Sequence, residues 1–506
     1  MPTLLFILMV GGALLLFCLL SRRSEVAVYG YLAVWLFFPK FIRMLPLLGG
    51  LPWEGVSVFE VLEAVVVCVL FVVCLLHPPR RAFDFGRRFG GLLWGFLIMT
   101  AGTYCYVEFV SGEVLFAQPG FAFRFFAYPA LQMIYACIFG WACLRYLDTF
   151  RKIEPIFLLL ALSAVELTCE VVFLYYGKLV PFLEPWLLDS NNTGRFNSLA
   201  FLSFDTVGLM SILNVVCFGY LALAWRRPRL LVTLPLLLLP IVATLAKAPL
   251  SGALLALTIF FSLTVRRHRT TILASALLFL LSTLVVEASR FANLSNLING
   301  AFGGAVREDI DVGSTFFGRT GLWLRGADIF LQHFPFGVGN GMVEYGMSAA
   351  GERRLQQFVS GLVEEAYSVV AAKEHVTNIH NAFLEFLVEN GVMGVLVMTA
   401  SLLMLGSNFV RFVRARRDES SPLKLKIFYA QVALYSAIGG MAWRYFFEAG
   451  DKAYFLFFLL LYLTSALPVL AREDGAQAGP AGRRTRPERR RVRRHAPSGW
   501  PVLAPR

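Results

Sequence analysis

Along most of the chain the apolar positions follow neither a two-residue nor a 3.6-residue alternation; they run unbroken. Stretches near 20 residues, such as 56–76 (VSVFEVLEAVVVCVLFVVCLL) and 271–286, recur from the first residues to about 470. A helix of that length crosses roughly 30 Å of hydrocarbon, and a segment apolar on every side predicts a helix surrounded by lipid and other helices. A membrane barrel would show short segments in which apolar and polar residues alternate. The pattern therefore predicts an all-α, polytopic transmembrane helical bundle of about 12–13 spans. Their centres fall near residues 11, 32, 66, 99, 134, 166, 212, 238, 258, 279, 393, 434 and 462.

Positive residues punctuate these runs. They gather at Arg22 and Arg23, at Arg80–Arg88, at Arg145–Lys152, at Arg226–Arg229, at Arg266–Arg269, at Arg411–Lys426, and throughout 472–506. By the positive-inside rule the clusters mark the cytoplasmic side, with two spans between neighbouring clusters, the N-terminus outside and the C-terminus inside. The 36 residues of 230–265 leave room for a hairpin at about 18 per leg, its outer turn at 247–251 (KAPLS). Residues 1–20 lack a charged leading region, so no cleaved signal peptide is expected. Four regions follow: transmembrane helices 1–10 in 1–287, a large periplasmic loop with short amphipathic helices in 288–379, transmembrane helices 11–13 in 380–471, and a disordered basic cytoplasmic tail in 472–506. Within the loop, apolar spacing predicts short helices around 319–333 and 352–375.

Composition supports this reading. Apolar and aromatic residues make up 58% of the 506, charged residues only 16%, and the mean hydropathy is +0.66; a soluble domain carries about 25% charged residues. The net charge of +13 could signal a nucleic-acid partner. Its placement beside spans and in the tail points instead to anionic membrane lipid, and no nucleic acid is expected. All eight cysteines lie in apolar segments with no CxxC, so neither disulfides nor a zinc site is expected.

Polar groups are costly in hydrocarbon, which makes those at membrane depth and at the outer boundary informative. Lys247 sits in the outer turn of the hairpin, Arg195 in the outer loop 178–200, Arg319 and Arg325 in the large loop, and His380 at the start of the eleventh span. Asp205 enters the seventh span, and Glu166 and Glu170 lie deeper in the sixth as an i,i+4 pair on one face. His375 and His380 are five apart, not a one-face metal spacing, and the Asp309/Asp311 pair has no nucleotide-sugar context, so no metal and no cofactor are expected.

The stretch 376–398 reads VTNIHNAFLEFLVENGVMGVLVM, a membrane-entering HNxxLxxxxxxGxxG. It follows GRxxxW and then a proline with GxGxG in 314–341 (STFFGRTGLWLRGADIFLQHFPFGVGNG). In order and spacing these motifs resemble the lipopolysaccharide O-antigen ligase and Wzy-type polysaccharide polymerase family, specifically over about 195–400. The resemblance implies a glycosyltransferase of the bacterial inner membrane with its active site facing the periplasm. It takes a glycan from undecaprenyl pyrophosphate, and its acceptor is a lipid-linked or lipid A-core glycan. The family's histidine corresponds to His380 and its loop arginine to Arg319. A further family arginine corresponds to Lys247, which keeps the charge and gives up the bidentate fork. Arg195 is a donor-binding candidate; Arg325, Asp205 and Glu170 are supporting candidates.

In these roles fixed cations would stabilise the charge growing on the leaving pyrophosphate. His380, an imidazole with an ordinary pKa near 6.5, would take the acceptor hydroxyl proton. Direct displacement would invert the anomeric carbon. Polymerase is favoured over ligase because no dedicated lipid A-core recognition feature is evident, and polysaccharide export or chain-length proteins are candidate partners. Buried carboxylates such as Glu166 and Glu170 can also relay protons, so a proton-coupled transporter or flippase is the rival class.

Overall fold

The computed structural model describes residues 2–21, 23–38, 58–77, 83–110, 128–183, 187–188, 195–201, 203–264, 316–339, 343, 379, 381–414, 421–447 and 454–477. Among them the chain is helical with no paired strands, only an isolated bridge between Leu188 and Phe196. In chain order the helices are α1 (Pro2–Ser21), α2 (Glu25–Phe37), α3 (Val58–Leu76), α4 (Gly86–Val110), α5 (Tyr128–Tyr146) and α6 (Phe150–Cys169). After α6 the chain continues as a π-helical stretch, Glu170–Tyr176. Then come α7 (Phe204–Ala224), a broken helix (Pro228–Thr233, Leu234–Leu237, Leu239–Ala243), α8 (Lys247–Thr264), α9 (Phe316–Gln332), α10 (Ala382–Arg414), α11 (Pro422–Phe447) and α12 (Tyr454–Gln477).

Each centre read from the sequence that lies among the described residues falls in one of these segments, with 238 on the joint of the broken helix. Position 279 lies outside the described residues, as do the helix expected at 352–375, the Asp309/Asp311 pair and the tail beyond 477. Among the described residues five helical segments are long and apolar enough to cross a membrane: Phe59–Leu76, Phe150–Tyr176, Phe204–Ala224, Ala382–Arg414 and Tyr454–Arg472.

The core is aromatic. Tyr31 of α2 meets Phe139 of α5 at 4.9 Å between centroids, and Trp35 meets Phe455 of α12 at 4.4 Å. Polar pairs join helices where apolar packing alone would let them slide: Asn214 to Ser163 at 3.1 Å, Asn408 to Ser465 at 2.8 Å.

Among the described residues, contacts draw several of the basic clusters to one end of the bundle. The Lys426 ammonium reaches Glu154 at 2.7 Å, Arg145 Nε donates to the His77 carbonyl, and the Tyr29 hydroxyl donates to the Lys152 carbonyl. The stretches around residues 23–29, 77, 145–154 and 424–426 thus share a side, as the charge pattern requires.

At the opposite end α7, α8 and α11 pack at backbone distance. A Cβ at Gly252 would lie 2.6 Å from the Gly440 carbonyl oxygen, and one at Gly208 would lie 2.5 Å from Pro249. The paired positions 208/249 and 212/252 run in the same sense, so α7 and α8 are parallel. The pairs 252/440 and 251/443 run in opposite senses, so α11 is antiparallel to α8. The starts of α7 and α8 therefore lie level with the end of α11.

The hairpin turn differs from expectation. It falls at 244–246, with Leu245 at φ 53°, and KAPLS is the first turn of α8. Pro249 is tolerated there because the first turn's N–H groups have no intrahelical acceptor. Replacing Gly440 by Val would force α11 off α8, and we expect a loss of about 1–3 kcal/mol, measured as a lower thermal midpoint of the detergent-solubilised protein.

Candidate functional site

The last turn of α11 reads Trp443-Arg444-Tyr445-Phe446, and each residue touches a different element. The Trp443 indole donates to Ser251 Oγ of α8 at 2.9 Å. The Arg444 guanidinium lies 3.7 Å from Asp205 Oδ1 in the first turn of α7. The Tyr445 ring meets Phe383 of α10 at 6.3 Å, and the Phe446 ring meets Trp323 of α9 edge-on at 5.2 Å.

These contacts place the sequence candidates. Lys247 opens α8 one helical turn before Ser251, and Arg319 lies one turn before Trp323 in α9; the side chains of both lie outside the described residues. His380 itself lies outside them, yet it is bracketed by Ile379 and Asn381 and stands three residues before Phe383. The segments that carry Lys247, Arg319 and His380 thus converge on one helix end together with Asp205.

The motif asparagine and glycines have structural explanations. Asn381 caps α10, its side-chain oxygen accepting the Leu384 N–H at 3.0 Å. Gly391 interrupts α10 at φ 57° and ψ −145°. The chain after α9 lies against this break: Val338 and Gly339 donate to the carbonyls of Val388 and Glu389 at 2.9 Å, and Val392 donates to that of Pro335 at 2.8 Å. A Cβ at Gly337 would lie 2.6 Å from the Glu389 carbonyl, and one at Gly391 would strike the Pro335 carbonyl. The GVGNG and NGVMG motifs are two halves of one backbone clasp, which ties the arginine-bearing α9 to the helix that follows His380. His333, at the foot of the clasp, is less basic than a free imidazole because it is partly desolvated.

Loop 195–203 closes the other side. Phe196 N–H donates to the Ala243 carbonyl at 3.0 Å, just before the hairpin turn. The Arg195 guanidinium lies over the Phe204 ring at 4.4 Å, next to Asp205. Buried Glu170, at the start of the π-helical stretch, accepts the Leu199 N–H at 3.2 Å. Glu170 thus holds this loop, and π-helical turns recur where a helix is reshaped near a site. Arg325 is half-buried farther along α9, on the far side of Trp323 from Arg319.

Arg444 was not among the residues singled out from the sequence. Its signal was available: an arginine inside a helix whose neighbours are almost all apolar. Among the described residues no group of three or more His, Cys, Asp or Glu side chains is placed to hold a metal ion.

Residues 232–399 match the family model described as O-antigen ligase, and no curated protein matches the chain. Over that stretch the chain is similar to the O-antigen ligase family. The matched stretch includes Lys247, Arg319 and His380; Arg195, Asp205 and Arg444 come from outside it.

Ala at Gly391 would have to hold a positive φ against the Pro335 backbone. We expect Gly391→Ala to cost about 1–3 kcal/mol, visible as a lower thermal midpoint and faster proteolytic cleavage between α9 and α10, with Val392→Ala much milder.

Proposed function

We propose that this chain is a membrane glycosyltransferase, with its active site on the periplasmic face of the bacterial inner membrane. It moves a glycan from undecaprenyl pyrophosphate to an acceptor sugar hydroxyl. The observation that carries the reading is the convergence on residues 443–446 of the elements bearing Lys247, Arg319, His380 and Asp205. The O-antigen ligase match over three of those four elements supports it.

In this reading Arg319 and Lys247 bind the donor pyrophosphate, with Arg195 at the edge of the site. His380 takes the acceptor hydroxyl proton as that oxygen bonds to the anomeric carbon. The glycosyl–phosphate bond breaks, pyrophosphate leaves with the bonding electrons, and the cations stabilise its growing charge. No covalent enzyme intermediate is formed, so the anomeric carbon is inverted. The proton on His380 passes to water before the next cycle.

The acceptor in the leading version is a second lipid-linked glycan, which makes the enzyme a polymerase of O-antigen or exopolysaccharide. The family description favours the second version, in which the acceptor is lipid A-core and the enzyme a ligase. The transporter alternative draws less support, because Glu170 is engaged with the Leu199 backbone.

Purified protein in liposomes, supplied with lipid-linked glycan and no ion gradient, is expected to form new glycosidic bonds. His380→Ala should lower turnover by about 10²–10⁴-fold while the protein still folds and inserts. Arg319→Ala and Lys247→Ala should raise the KM for donor more than that for acceptor. Transfer that persists at the wild-type rate in folded His380→Ala would remove the base assignment. Product on a second lipid-linked glycan identifies a polymerase, and product on lipid A-core a ligase.

A further inference from the structure

The strongest feature not absorbed by this reading is Arg444. Its side chain is fully buried, while its partner Asp205 keeps 26% of its side-chain surface exposed. The pair is one-sided: the guanidinium lies inside the bundle and the carboxylate at the boundary, where α7 begins. Packing alone does not call for such a pair, since a hydrophobic side chain of similar volume often serves a buried position as well or better.

The surroundings of Asp205 suggest its purpose. Asp205 precedes Gly208 by three residues, Lys247 precedes Pro249 by two, and Gly208 and Pro249 are in contact. The two residues therefore stand level at the starts of adjacent parallel helices. The Arg195 guanidinium lies over the ring of Phe204, the residue before Asp205 in the chain. A carboxylate here attracts the very cations that an anionic donor needs and repels the donor's phosphates, the more so the less positive charge lies behind it.

We propose that Arg444 is a positioning residue of the transfer site: it neutralises Asp205 from the buried side and so leaves the cations at the site available to the pyrophosphate of the lipid-linked donor. The inference rests on the donor reading given above. It requires no contact between Arg444 and the ligand, in keeping with the complete burial of the guanidinium. Trp443 and Tyr445, anchored to α8 and α10, fix the turn that aims it at Asp205.

The test measures undecaprenyl pyrophosphate binding to full-length protein in nanodiscs for wild type, Arg444→Met, Asp205→Asn and the double variant. Arg444→Met should weaken binding about tenfold or more, because it removes a positive charge from beside the carboxylate. Adding Asp205→Asn to Arg444→Met should restore most of the lost affinity, with Asp205→Asn alone as the baseline for that comparison. Arg444→Lys, which keeps the charge, should fall within a few-fold of wild type and serves where Arg444→Met does not fold. Rescue by removal of the partner charge is something a purely structural arginine would not yield. Weakening that Asp205→Asn leaves unrescued, equal affinity in Arg444→Met and wild type, or a tenfold loss in Arg444→Lys would each overturn the assignment. A wild type that binds no undecaprenyl pyrophosphate would instead sink the donor reading itself.

Discussion

A charge inside an apolar bundle is tolerated only where it is paired or can reach water. The bundle meets this constraint at the last turn of α11. Arg444 is enclosed by helices, yet its carboxylate partner lies at the bundle's edge, where α7 begins with Ser203 as its cap. The consecutive residues around Arg444 turn outward to α8, α10 and α9. Elements far apart in sequence are thus brought together around one ion pair, and the apolar helices behind it hold them at fixed height. Gly252 against Gly440 and Gly208 against Pro249 leave no space for α7, α8 or α11 to slide past one another.

The second constraint is carried by backbone rather than side chains. A helix that stops for one residue exposes carbonyls, and in an apolar setting these need donors. At Gly391 the donors come from the chain that follows α9, at Val338 and Gly339. The glycines supply a positive φ at 391 and at 337, and room for two backbones to touch. The loop side of the site is therefore attached to the helix side by peptide groups, whose spacing does not depend on which side chains surround them.

Helix placement was legible in the sequence because an unbroken apolar run of some 20 residues in a charged-residue-poor chain has few other physical outcomes. The shared end of the basic clusters was legible for a similar reason, charge placement relative to spans. The hairpin turn was misplaced by a few residues: Pro249 suggests a turn, but proline also suits a helix start, and local sequence does not choose between them. The glycine motifs could be recognised, although their joint role as a clasp could not, since the partners lie some 50 residues apart in the chain and meet only in the fold. Arg444 escaped notice because it belongs to no basic cluster, and a lone arginine acquires meaning only when Asp205, far earlier in the chain, is seen opposite it. Glu166 and Glu170 were legible as a pair on one face; that Glu170 grips the Leu199 N–H depends on a loop whose path no periodicity encodes.

The four outward contacts of residues 443–446 also fix the length of the helix that carries them. Successive residues on a helix are about 100° apart, so inserting or deleting one residue between Gly440 and Trp443 would turn the indole, guanidinium and both rings each toward a neighbour's station. The remaining apolar helices could absorb such a change by a small roll in lipid, whereas α11 works like a key whose teeth all fail together. Diversity among chains built on this plan should accordingly collect in the segments that join helices and spare the spacing of this turn.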